Sequence, residues 1–181
     1  MRNVLSGALA LGAALALAGT AAAQSPISLE GRVGAAIPTG DFADDAKTAV
    51  TLGGSASLLV APRVSVYAGY SDTRFGLKGS DATGVDNGWE IGARVAFPGV
   101  GYSPWIRGGI LAHDLKVKQG GVSVDGDSDL GFEAGLGVAY PIAPQVSLSP
   151  GISYRQYSSS LLGADVDVSY FTLDVGVRVR L

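Results

Sequence analysis

No cysteine occurs anywhere in the 181 residues. A disulfide framework, a thiolate metal centre and a lipid anchor on an N-terminal cysteine are thereby excluded. Charged residues are also scarce, at 16% of the chain against roughly a quarter in average soluble domains. The apolar share of 47% argues against disorder, and the length fits one compact domain. A net charge of −3 gives no sign of a basic face for phosphates, so no nucleic-acid partner is expected. Beyond the N-terminal segment there is no apolar run of the roughly 20 residues that a membrane-crossing helix requires. No convincing amphipathic helix period is found either.

What is present begins with an address. Met1, Arg2 and Asn3 form a short basic start, Val4 to about Ala18 an apolar stretch, and Ala21-Ala22-Ala23 a small-residue cleavage site before Gln24. Residues 1–23 read as a cleaved signal peptide and residues 24–181 as the exported domain. An uncleaved anchor fits less well, because the apolar stretch is too short to span a bilayer.

From Ser25 onward apolar residues recur at every second position over stretches of about ten residues, which is the period of a strand. Eight stretches follow: about 27–37, 51–60, 64–71, 88–97, one from 102, one ending near 140, 146–154 and 169–181. Their connections alternate in length. Ala61-Pro62-Arg63, Pro98-Gly99-Val100-Gly101 and Ala143-Pro144-Gln145 are tight turns punctuated by proline. The connections over 38–50, 72–87, around Gly120-Gly121 and over 158–167 are long and polar. Such alternation suits an up-and-down barrel with short periplasmic turns and longer extracellular loops.

Alternation alone leaves open whether the apolar face looks inward or outward. The charges decide. Glu30, Arg32, Glu90, Arg94, Arg107, Glu133, Arg155, Asp174, Arg178 and Arg180 all fall opposite the apolar face, whereas Lys47, Lys78, Lys116 and Lys118 lie in loops or near a loop end. Arginine, glutamate, serine and glycine together suit a narrow lumen where guanidinium and carboxylate pair. An arginine facing lipid near the midplane would cost about 2–4 kcal/mol. Closing the last strand on the first would bring Glu30 near Arg178 or Arg180.

The aromatics agree. Trp89 and Phe97 on one strand, and Phe132 and Tyr140 on another, bracket apolar segments of equal length, with Tyr70, Tyr154 and Phe171 near loop ends. They form two girdles roughly 20 Å apart, close to the apolar band of outer-membrane barrels. The expected fold is therefore all-β: an eight-stranded antiparallel transmembrane barrel in the outer membrane, in contact with its lipid and lipopolysaccharide. Pro150 sits inside a strand and predicts a bulge, since it lacks a ladder donor. Trp105 falls on the lumen side near the periplasmic end, where it would help close the floor.

Gly176, Val179 and Leu181 end the chain in strand phase on an apolar residue. They look like the C-terminal signal by which the barrel-assembly machinery recognises outer-membrane barrels. The segment Gly34-Ala35-Ala36-Ile37-Pro38-Thr39-Gly40-Asp41-Phe42 is similar to the first hairpin of small outer-membrane barrel domains of the OmpA/OmpX and opacity-protein kind. Through its strand pattern the resemblance covers essentially the whole exported chain.

A barrel of this size is filled by side chains, so the lumen charges read as a structural network in preference to a narrow ion-conducting pore. A lipid-modifying enzyme would have to use His113, the single histidine. Its neighbour Asp114 points to the opposite face of a strand, so the two do not form an oriented dyad. No catalytic residue, cofactor or metal is expected. Asp41, Asp44, Asp45, Asp72, Asp81, Asp86, Asp125, Asp127, Asp129, Asp165 and Asp167 read as an acidic extracellular rim. Asp125, Asp127 and Asp129 share the alternate spacing of a calcium loop but lack its glycine and closing glutamate. Residues 115–125 read as a hairpin rising past the membrane, a surface for an extracellular protein partner. The expected role is a monomeric structural or surface-interaction protein, adhesion included.

Overall fold

The computed structural model describes residues 26–128, 130–161 and 164–181. The proposed signal segment 1–23, Gln24 and Asp129 lie outside the described residues, as does the side chain of Asp127. The elements are β1 (Ile27–Pro38), a single helical turn α1 (Phe42–Asp45), β2 (Ala49–Ala61), β3 (Val64–Gly76), β4 (Thr83–Ala96) and β5 (Ser103–Gln119). They continue with β6 (Val122–Asp125), β7 (Asp127–Ser128), β8 (Leu130–Ala143), β9 (Val146–Leu161) and β10 (Ala164–Arg180). Among the described residues no helix is long and apolar enough to cross a membrane.

All pairings are antiparallel, and β10 returns to β1, with Glu30 opposite Arg178 and Val33 opposite Val175. The sheet closes. Closure pairs the backbone groups that an open edge would leave unpaired in lipid. The segments β6, β7 and β8 run along one line: β6 and β8 pair with β5, while β7 and β8 pair with β9. They form one interrupted strand, so the barrel has eight. Asp125 faces Lys116 and Leu130 faces Ala112, so this strand gains one residue on β5 between those points, the signature of a bulge.

Side-chain burial is inverted relative to a soluble barrel. Glu90 is 0% exposed, while its chain neighbours Trp89 and Ile91 are 63% and 57% exposed. The two strand faces meet lipid and lumen in turn.

Two expectations about strand geometry need correction. The connections over 72–87 and 158–167 are largely strand, because β3 reaches Gly76, β4 starts at Thr83, and the β9–β10 ladder runs up to Leu161 and Ala164. Above the membrane neither face meets lipid, so the ladder continues without the apolar alternation that marks it below. Pro150 makes no bulge. It pairs with Val175 on one side, and on the other the register is the same at Gly137–Gly151 and Tyr140–Leu148. The missing N–H is absorbed as a short break in pairing. Register shifts occur beside two tight turns, at Leu59/Ala61 and Pro141/Ala143. In one of those turns Arg63 follows Pro62 with φ 72, and at the tip between β5 and β6 Gly120 and Gly121 have φ 56 and 86. Left-handed conformations at both central residues are what a tight two-residue hairpin requires.

Candidate functional site: the barrel interior and its extracellular tip

From the periplasmic end upward, the interior begins with Trp105, 3% exposed. The Arg94 guanidinium lies 4.2 Å from its ring centroid and that of Arg107 5.8 Å away. Gly137 and Gly151 make room for the ring, since a Cβ on either would come within 2.3 or 2.7 Å of it. The floor predicted at Trp105 is thus built from three strands.

Above it the charges interlock. Arg94 Nη1 donates to Glu30 Oε2 at 2.9 Å, and Arg178 Nε stands 4.0 Å from the same oxygen. Glu90 accepts from Arg32 Nη2 at 2.7 Å and from Arg155 Nη2 at 2.5 Å. Glu133 accepts from the Tyr67 hydroxyl and is flanked by Arg107 Nη2 at 3.4 Å and Arg155 Nε at 3.5 Å. Serines take one further guanidinium N–H from each of four arginines: Ser71 from Arg155, Ser149 from Arg94, Ser153 from Arg107 and Ser57 from Arg178. Asp174 is buried and accepts from Thr172 Oγ1 at 3.0 Å, facing Arg32 and Arg155 across a small cavity. Arg180 stands apart from the others. It is exposed at the periplasmic rim, where its backbone pairs with Ser28 and its N–H donates to the Gln145 carbonyl. One turn of alternation beyond Arg178 the strand has left the lumen.

Two cavities of about 10 Å³ each lie among the described interior residues, one lined by Arg32, Arg155 and Asp174 and the other by Glu30, Arg94, Arg107 and Arg178. Each has room for about one water.

The upper interior holds a second site that the sequence does not reveal. Asp86, His113 and Tyr170 are all 0% exposed, with Asp86 Oδ1 2.7 Å from His113 Nδ1 and Asp86 Oδ2 accepting from the Tyr170 hydroxyl at 2.6 Å. Asp86 therefore belongs to the core and not to the acidic rim. His113 points inward and Asp114 outward, as strand alternation demands, and the true partner comes from the adjacent strand. A buried imidazole does not reach acyl chains outside the barrel. Over this group α1 inserts Phe42 into the mouth, packed edge-on against Phe75 at 5.1 Å, which meets Tyr170 at 5.3 Å. Ala36, Ala46, Ala49, Leu115, Tyr157 and Val168 complete an apolar cap. Lys78 ties α1 to the β3–β4 connection through its Nζ on the Ala43 carbonyl and its N–H on that of Asp45.

Outside, the aromatics form contacts across strands. Tyr70 meets Trp89 edge-on at 5.3 Å, and Tyr154 lies between Phe132 at 6.1 Å and Phe171 at 5.1 Å, making an upper ring. At the lower end Phe97 and Tyr140 are exposed, and Tyr140 packs beside Tyr102 at 6.2 Å. Tyr102 lies one residue before β5 and is exposed in phase with Ile106 and Ile110. At the C-terminus Gly176 lies against Glu30, Val179 is buried in register with Leu29 and Val146, and the Leu181 N–H donates to the Ile27 carbonyl. The predicted tip hairpin is formed, with Lys116 opposite Asp125 and Gln119 opposite Val122. Lys116 Nζ is 3.4 Å from Asp125 Oδ1, and among the described residues no cluster of carboxylates or histidine is arranged to hold a metal.

The model of the outer membrane protein beta-barrel domain family matches residues 6–178. The chain belongs to that family. This outer-membrane β-barrel also shares its fold with solved structures. Neisserial surface protein A is 19% identical, with 87% of this chain and 98% of that one covered at a TM-score of 0.71. The outer-membrane protein OprG from Pseudomonas aeruginosa is 11% identical, with 87% and 98% covered at 0.61. The N-terminal barrel domain of OprF from the same organism is 13% identical, with 85% and 98% covered at 0.52. A search among curated proteins found no match. Family and fold together make this an integral outer-membrane protein in contact with lipid.

Proposed function

We propose that this barrel is a monomeric surface-interaction protein in which the lumen is a structural core and the β5–β6 hairpin engages a protein outside the cell. The observation that carries this reading is the tip itself. β6 pairs with β5 and, among the described residues, with nothing else, which leaves its other edge as a template for an added strand. Val122 is exposed there, and Lys116, Lys118 and Asp125 face outward. In the same reading residues 1–23 are removed on export, and Gly176, Val179 and Leu181 are recognised by the assembly machinery. Lipopolysaccharide surrounds the upper girdle.

Cells expressing the barrel with residues 115–125 replaced by a two-glycine turn test the proposal. Loss of surface or host-cell attachment is expected, with the heat-dependent gel mobility of the folded barrel retained. Unchanged attachment would sink it. Conduction is disfavoured by cavities of about 10 Å³, and stepwise currents in planar bilayers would reverse that preference.

A further inference from the structure

We propose that the lower interior of the barrel binds one small monovalent anion of halide size between Arg94, Arg107 and Arg178. These guanidiniums line a single cavity with Ser55, Ser57, Tyr67 and Glu30, and Glu30 is the carboxylate on that wall. The three side chains are 8%, 6% and 19% exposed. The Nε–H of each is buried and has no hydrogen-bond acceptor among the described residues. That of Arg178 lies 4.0 Å from Glu30 Oε2.

Three of the acceptors nearby are already engaged. Glu30 Oε2 takes Arg94 Nη1, Ser57 Oγ takes Arg178 Nη2, and the Tyr67 hydroxyl turns to Glu133. A guanidinium carries donors only, so with three of them facing one carboxylate the donors on this wall outnumber the lone pairs. Water would bring two further donors into a place where donors are in surplus. A halide brings acceptor capacity alone and offsets the excess of guanidinium over carboxylate charge. Size sets the upper limit: a cavity of about 10 Å³ admits one water-sized species, which sulfate, phosphate and carboxylates exceed. Arg180, exposed two residues beyond Arg178 on β10, places a further cation at the periplasmic entrance.

Crystals of the refolded barrel grown in sodium bromide test the site directly. An anomalous peak among Arg94, Arg107 and Arg178 is expected. A map with ordered bromide elsewhere and none in this cavity would overturn the proposal. Thermal unfolding in detergent gives a second reading that needs no lattice. At equal ionic strength, replacing gluconate by chloride at about a hundredfold excess over Kd should raise the midpoint by about 5 °C. The rise should shrink at least by half in R178Q, which removes one unpaired Nε–H from the most exposed of the three. Equal midpoints in the two salts for the unmodified barrel would also refute binding.

Discussion

Arg155 reaches across the lumen to place its Nη2 2.5 Å from Glu90 Oε1, joining strands β9 and β4, which share no backbone pairing. Arg32 approaches the other oxygen of the same carboxylate from β1 at 2.7 Å. Glu90 thus braces three sides of the barrel. Glu90→Gln keeps the shape but takes from two buried guanidiniums the carboxylate nearest to each. A loss of about 3–5 kcal/mol is expected, read from the urea midpoint in micelles against the unmodified barrel. A loss below 1 kcal/mol would mean that the network contributes little.

The inside-out arrangement has an optical test, because the chain has two tryptophans on opposite faces. Trp89 is 63% exposed toward lipid and Trp105 is 3% exposed in the lumen. In vesicles of brominated phospholipid the fluorescence of W105F should be strongly quenched and that of W89F nearly unaffected. Equal quenching would contradict the assignment of the two faces.

Phe42 is the stopper of the extracellular mouth, packed on Phe75 and 5% exposed. Phe42→Ala should cost the cap about 3–5 kcal/mol of local stability. The measurement is amide exchange, with protection lost over residues 39–48 and retained in the strands at girdle level. Uniform loss along the strands would show that the cap is not a separate unit.

Arg63 holds φ 72 after Pro62, where glycine carries no steric penalty. Arg63→Gly should leave the barrel intact and stabilise it by about 0.5 kcal/mol, visible as a slower unfolding rate or a higher midpoint. Destabilisation would indicate that the Arg63 side chain makes a contact that outweighs its strain.

Much of this was legible because lipid and lumen impose opposite demands at successive residues. Wherever both act, as from Trp89 to Phe97, alternation alone places every side chain on its proper face. It fails where one demand lapses. Asp86 looked like a rim aspartate because it falls in the stretch 72–87 read as a loop, yet it is buried against His113 and Tyr170, contributed by two other strands. Such partners are set by register across the barrel, which no local window contains. Arg180 failed at the opposite end, where its alternation runs on past the end of the lumen. The halide-sized cavity was equally hidden, since it depends on which guanidinium nitrogens find acceptors and not on which residues are charged.

The single extra residue between Asp125 and Leu130 separates two regimes of inheritance. Below it, each position is bound to one face by lipid or lumen, and a one-residue insertion would turn a strand inside out. Above it, the tip is already out of step with the strand that carries it, so changes in its length are absorbed at the joint. A change in the length of the outermost hairpin therefore leaves the register of the membrane-embedded wall untouched.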